Sequence, residues 1–300
     1  MSEDLKSARG STLPRRQLGR HLRDARLAIG QTLEEAAKLM EWSKSGLQRL
    51  ETGQVERIRT HDVRVLCEQY QLSKDETDDL LALAEQTAVK SWWHDFGSLI
   101  TPAFDVYMGL EGSAWELAMF QPSVIPGLLQ TADYARSLDA VYFPDDTSEE
   151  IDRRVQLRVR RQGIITRRNR PAKFTAVLHE SVPRTVIGSP KVMAAQLRHL
   201  ADLGSRQNVE IRILRFRAGL PVGWSTGPFV ILDFGLDKKG HPAEPSVVFV
   251  EGFTGGIFLE GLTDLDRYRE AHGIIHRAAL DAQPSRDLLR EIAREFDRER

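Results

Sequence analysis

The chain has 300 residues, 41% hydrophobic and 28% charged, with a formal net charge of −1, a composition normal for a soluble globular protein of two domains. No apolar run reaches the roughly 18 residues of a membrane span. The opening MSEDLKSARGSTLPRRQLG lacks the apolar centre of a secretory leader, so a cytoplasmic, nucleoid-associated location with no membrane partner is expected. Cys67 is the only cysteine, which excludes an intrachain disulfide and a cysteine-cluster zinc site.

The near-zero net charge hides a gradient. Residues 9–64 carry twelve Lys/Arg against seven Asp/Glu, and the KDETDDLLALAEQ that follows is acidic. A domain that meets phosphates distributes charge in this way, although a solvated surface of mixed charge does so too.

Residues 1–14 read as a disordered arm, and residues 15–87 as the first domain. LGRHLRDARLAIG sets Leu18, Leu22, Ala25 and Ile29 at helical spacing and stops at Gly30. Thr32 then opens TLEEAAKLM, and Glu35 three residues later completes a capping-box pattern. Leu33, Ala36, Ala37 and Met40 make its inward face, the central alanines permitting close helix approach. After the short turn EWS, Ser43 caps KSGLQRLETG, whose Leu47 and Leu50 face inward and whose Gly53 ends it. The prediction is two short helices joined by a tight turn and held on the helix before them.

Committing Leu47 and Leu50 to the core leaves Lys44, Ser45, Gln48 and Arg49 on the outer face of the third helix. That half of a recognition helix is the part that enters the major groove. Lys44 and Arg49 are donors suited to guanine O6/N7, and Gln48 suits adenine or a phosphate. The same residues also describe a solvated helix face.

The segment LRDARLAIGQTLEEAAKLMEWSKSGLQRLETGQ, with a helical HDVRVLCEQYQL after it, resembles the Xre family of Cro/lambda-repressor-like regulators. The resemblance implies a lambda-repressor-like all-α domain of about five helices. It implies that Arg26, late in the first helix, pairs with Glu51 at the end of the recognition helix. It also makes Thr32, Thr52 and Arg57 candidate phosphate contacts. Gly46 departs from the family pattern, which favours Ser or Thr there.

From residue 88 to residue 300 the character changes. VKSWWHDFGSLITPAFDVYMGLEGSAWELAMFQPSVIPGLLQTADYARSL reads as short helices around an aromatic core. TSEEIDRRVQLRVRRQGIITRR reads as a long helix capped by Thr147 or Ser148. KFTAVLHESV, NVEIRILRF, GPFVILDF and PSVVFVEGF are strand-like. SPKVMAAQLRHLADLGSR is a helix between the first two, and two more helices, TDLDRYREAHGIIHRAALD and PSRDLLREIAREFDRER, close the chain. The expected fold is an α+β domain with a small, mostly antiparallel sheet flanked by helices.

Features that mimic catalysis have plainer explanations. His272 and His276 lie one helical turn apart but lack the H-E-x-x-H glutamate and a third ligand, so no metal is expected. His179-Glu180 reads as a structural pair, and Gly255-Gly256 as a hairpin turn. No nucleophile, base and oxyanion donors converge, so neither an enzyme nor a cofactor is expected. Trp92, Trp93 and Trp115 are core aromatics or a stacking platform for a ligand. Nine basic residues from Arg153 to Lys173, Arg158 and Arg161 among them, occur without an acid. An anionic counterpart is therefore expected: carboxylates of the terminal helices, flanking DNA, or an acidic partner.

SWWHDF, the Glu111–Glu116 stretch, VIPGLLQTADYAR, LRVRRQ, VMAAQLRHLADL and SRDLLREIAREF resemble the actinobacterial WhiJ-like group of Xre regulators, with Ile125–Arg136 the most specific string. That resemblance implies an antitoxin-like or developmental regulator whose C-terminal domain has no assigned activity. It further implies a small protein partner encoded nearby. The reading is a homodimeric regulator of operator DNA, modulated by that partner through its C-terminal domain. A small-molecule sensor, with a pocket near one of the three tryptophans, is the alternative, and an enzyme the remote one.

Overall fold

The computed structural model describes residues 12–55, 58–87, 92–235 and 244–298. The chain divides into two compact units, residues 1–113 and 114–300.

The first unit is helical. Its helices are α1 (Thr12–Ala28), α2 (Leu33–Leu39), α3 (Lys44–Glu51), α4 (Thr60–Gln69) and α5 (Lys74–Thr87), followed by a 3₁₀ segment (Trp92–Leu99) and α6 (Pro102–Ser113). Residues 12–14, expected in the arm, are the first turn of α1, and residues 1–11 lie outside the described residues. Leu18 and Leu22 of α1 meet Ala36 and Ala37 of α2, Leu47 and Leu50 of α3, Val63, Leu66 and Cys67 of α4, and Leu80 and Ala84 of α5 in one core. Cys67 is a buried free thiol, and burial pushes its pKa up. The unit extends past residue 87 because α6 is tied to α1. Asp105 of α6 accepts a hydrogen bond from the indole nitrogen of Trp93 at 2.5 Å, and Arg15 of α1 lies 3.8 Å from the same carboxylate.

Gly19 sets the distance between α1 and α3. A Cβ there would lie 2.7 Å from the Glu51 carbonyl oxygen and 2.8 Å from its carbon, and closer still to the Leu50 oxygen. Backbone cannot yield as a side-chain tip does. In an unconstrained helix Gly→Ala gains up to about 1 kcal/mol. Here Gly19→Ala is expected to lower stability by about 1–3 kcal/mol, the cost of overpacking. A thermal melt in which the variant unfolds above the parent would refute this close approach.

The second unit is an α/β domain. In chain order it contains β1 (Glu116–Gln121), a 3₁₀ turn (Gly127–Leu129), α7 (Ala132–Tyr142), α8 (Ser148–Arg161), α9 (Gly163–Thr166), β2 (Lys173–His179), α10 (Ser181–Arg184), α11 (Pro190–Leu203) and β3 (Val209–Leu214). Then come β4 (Phe229–Asp233), β5 (Val247–Gly252), β6 (Gly255–Leu259), α12 (Leu262–Ala278) and α13 (Ala282–Arg298). The six strands form one mixed sheet in the order β3-β2-β1-β4-β5-β6. The β1–β2 and β2–β3 pairs are parallel, their crossovers running through α7–α9 and α10–α11, while β1–β4, β4–β5 and β5–β6 are antiparallel.

Strand alternation divides the burial between two faces. Phe120, Val177, Leu214, Phe229, Ile231 and Val248 line one face and pack with Leu265, Tyr268 and Ile275 of α12. Leu117, Met119, Phe174, Ala176, Ile211 and Ile213 are buried on the other. There α11 and α13 pack together, and Ser285 of α13 accepts from the Ile213 amide at 3.0 Å. The four strand-like runs are β2, β3, β4 and β5. Two more complete the sheet: β1, inside the stretch read as short helices, and β6, which begins at the glycines read as the turn.

Candidate nucleic-acid interface

Local chemistry fixes the two helices that would carry this surface. Thr32 and Glu35 form a reciprocal capping box at the start of α2: the Thr32 N–H donates to the Glu35 carboxylate at 2.8 Å and the Glu35 N–H to the Thr32 hydroxyl at 3.2 Å. Thr32, through its N–H and then its hydroxyl, holds the Glu35 carboxyl below the usual carboxylate range. Glu41 makes the turn into α3 in the left-handed region, at φ 57°. The Ser43 side chain then accepts from the Gly46 amide at 3.1 Å. A Cβ on Gly46 would stand 3.1 Å from that same oxygen, so glycine lets the cap close without crowding.

With Leu47 and Leu50 buried, Lys44, Ser45, Gln48 and Arg49 are exposed on α3, as is Thr52 just past its end. Lys44 is paired with Glu34 at 2.8 Å; both side chains are exposed, so a phosphate can displace the carboxylate at small cost. The exposed hydroxyls of Thr32 and Thr52 are engaged at the ends of their own helices. Thr32 donates to Glu35 at 2.8 Å, and Thr52 donates to the Gln48 carbonyl at 2.9 Å. Ser45 lies 3.2 Å from the Ser43 hydroxyl. Arg57 lies outside the described residues.

Behind this face Arg26 and Glu51 form a bidentate pair, with bonds of 2.7 and 2.8 Å from Nε and Nη2. The third guanidinium nitrogen donates to the Gln31 carbonyl at 2.7 Å, so one side chain ties α1, the start of α2 and the end of α3 together. The bond to Glu51 raises the Arg26 pKa against the pull of burial. Beside the pair, burial, and then the Glu51 charge, push the Tyr70 phenol up.

The remaining candidates do not converge on a second site. Trp93 is buried, and Trp92 packs edge-on against it and against Phe96 at 5.5 and 6.1 Å. Trp115 belongs to the other unit, beside Gly235 at the start of β1. Arg158 bridges Asp139 and Gln130 at 2.8 and 3.0 Å, and Arg161 is buried. The acids answering the basic run include Asp139 of α7, Asp146 before α8, which holds Arg154 at 2.6 Å, and Glu116 of β1, which holds Lys173 at 2.8 Å. These three come from neighbouring segments of the same domain.

The string Ile125–Arg136 also acquires a physical role. Gln130 donates to the Ile125 carbonyl at 2.6 Å, Gln162 donates to the Gln130 carbonyl at 2.6 Å, and Gln196 donates to the Leu129 carbonyl at 2.8 Å. Side-chain amides thereby satisfy the backbone of a buried turn.

His179 and Glu180 do not pair with each other. His179 Nδ1 lies 2.7 Å from the Ser181 hydroxyl, while Glu180 accepts from Arg215 and from the Phe216 amide, both at 2.9 Å. His276 stands 3.3 Å from Glu210, and His272 has its pKa pushed down to about 4, by burial first and by His276 second. Among the described residues no group of three or more His, Cys, Asp or Glu side chains is placed to hold a metal ion. Nor is any described helix long and apolar enough to cross a membrane.

The capped α2–turn–α3 pair on its helical core defines a helix-turn-helix domain, and residues 17–80 match the family of that description. Residues 104–291, more than half of the chain, match the family described as Domain of unknown function (DUF5753). The chain belongs to the DUF5753 family. No curated protein and no solved structure matches it.

Proposed function

We propose that this protein is a sequence-specific, DNA-binding transcription regulator that inserts residues 44–52 into the major groove. The observation that carries the reading is the division of α3. Its leucines are buried, and four polar or basic side chains, Lys44, Ser45, Gln48 and Arg49, stand exposed together on the helix that a helix-turn-helix offers to DNA. Arg49 reads a base edge, Lys44 leaves Glu34 for a phosphate, and Gln48 serves either. The chain acts as a homodimer on two half-sites about one helical turn apart, as the Xre regulators it resembles are expected to do. It performs no catalysis.

Selection of bound sequences from a random duplex pool by the full chain, followed by titration of the selected duplex, tests this. Arg49→Ala is expected to cost about 1–3 kcal/mol and to relax the preference at one base pair. Lys44→Ala is expected to weaken all sequences alike and to reduce the salt dependence by about one ion. If both variants keep the parent's affinity and selectivity, α3 is not the reading helix.

The C-terminal unit supplies the control input. A small protein partner, as the WhiJ-like resemblance implies, is favoured by the exposed Val141, Tyr142 and Phe253, of which Tyr142 and Phe253 touch with ring centroids 6.5 Å apart. The Arg158–Arg161 stretch gives that reading less support, because Arg158 is spent on Asp139 and Gln130.

A further inference from the structure

A cavity of about 190 Å³ opens at the carboxyl ends of the parallel strands, where Phe120 of β1, His179 of β2 and Leu214 of β3 meet Ile275 of α12. The loop between β3 and β4 closes its outer side with Val222 and Trp224. In open α/β sheets this end of the strands is where ligands are held. We infer that this cavity binds a small, uncharged, largely apolar ring compound of about ten heavy atoms that carries one hydrogen-bond donor. The claim concerns binding alone and does not rest on the DNA-binding reading.

Size, charge and polarity each narrow the ligand. An apolar cavity of about 150 Å³ takes a benzene ring, so this one takes a substituted ring or a fused pair, and it lies below the range of drug-sized sites. Among the described residues no Asp, Glu, Lys or Arg lines it. An ion would therefore lose its water without gaining a counter-charge, which disfavours phosphates, carboxylates and amines.

His179 sets the polarity. The Ser181 hydroxyl donates to the Pro122 carbonyl at 2.8 Å, so its 2.7 Å contact with His179 is filled by a ring proton on Nδ1, the shorter contact outweighing the 3.3 Å approach of the Ser181 amide to the same nitrogen. Nε2 then carries a lone pair, and a ligand N–H or O–H satisfies it.

The rim is built for an occupant. Trp224 is 80% exposed and Leu220 67%, two large apolar side chains lining one opening, and Phe216, 55% exposed, packs edge-on against His179 at 5.1 Å. Such a cluster is what marks a binding surface, as opposed to scattered exposed residues. Gly219 and Gly227 bracket the loop at φ 61° and 66°, conformations that let it turn back over the strand ends.

The test is calorimetric titration of the full chain with indole, a neutral ring compound with one N–H, and with benzoate and benzylammonium as charged probes of similar size. Saturable indole binding is expected with a Kd of about 1 mM or tighter, and binding of either ion at least about tenfold weaker. Val222→Trp, which fills the cavity, should weaken indole by about tenfold or more. Trp224→Ala, at a site too exposed to disturb folding, should weaken it several-fold, with thermal unfolding unchanged in both variants. Absence of saturable indole binding, equal binding of the ions, or indole affinity unchanged in both variants would overturn the inference. Operator binding by the same preparation is read separately, so failure here leaves that reading standing.

Discussion

Arg26→Ala is expected to destabilise the N-terminal unit by about 3–5 kcal/mol, the range for removing one partner of a buried ion pair. The loss comes less from the missing attraction than from what remains. Glu51 is 7% exposed, and without the guanidinium it keeps a buried charge and loses both charge-assisted bonds. The Gln31 carbonyl loses its donor as well, so the start of α2 and the end of α3 loosen together.

Replacing both partners, Arg26→Met with Glu51→Leu, should recover much of the loss, because matched apolar side chains leave no orphan charge. Lys44 and Glu34 make a contact just as short, at 2.8 Å, yet both are exposed. Truncating that pair is expected to cost under about 1 kcal/mol. Urea unfolding of the full chain, followed by tryptophan fluorescence, measures all of these. A single-mutant loss below about 1 kcal/mol at Arg26 would show that the pair does not anchor α3.

How much of this was legible in sequence depends on how local each interaction is. The caps of α2 and α3 were readable because Thr32 with Glu35, and Ser43 with Gly46, close within one turn. The Arg26–Glu51 pair spans 25 positions, so a family resemblance marks it where spacing does not. Gly19 gave no signal, since a glycine inside a helix reads only as a weak position. Its reason, the backbone of Leu50 and Glu51 against it, exists only once α1 and α3 are packed. The strand β1 was hidden because Glu-Leu-Ala-Met favours helix locally, and pairing with β2 on one side and β4 on the other overrides that preference. The cavity was invisible for the same reason as Gly19. Its walls come from strand ends, a loop and a helix that the chain separates by scores of residues, and Trp224 sits in the Gly- and Pro-containing segment between β3 and β4, which carries no motif.

The basic run shows how an inference from charge can call for anions and still leave their source open. Nine cations without an acid require anions, and the structure supplies three of the cations, Arg154, Arg158 and Lys173, with Asp146, Asp139 and Glu116 of the same domain. Asp139 is the decisive one. Its side chain is 3% exposed, it takes the Arg158 guanidinium at 2.8 Å, and its second oxygen is buried without a hydrogen-bond partner among the described residues. Burial lowers the Arg158 pKa, and the Asp139 charge opposes that fall.

Asp139→Ala therefore strands a cation inside the domain and is expected to cost about 3–5 kcal/mol. The effect should spread, because Arg158 also donates to Gln130, whose own amide holds the Ile125 carbonyl. Protection of the amides around 125–131 should fall in hydrogen exchange. Arg136 and Asp152 join the same two helices at 2.6 Å but are about half exposed, so Asp152→Ala should cost no more than about 1 kcal/mol. If the two alanine variants unfold at the same denaturant concentration, burial is not what gives the Asp139–Arg158 pair its weight, and the buried turn must be held by its glutamine amides alone.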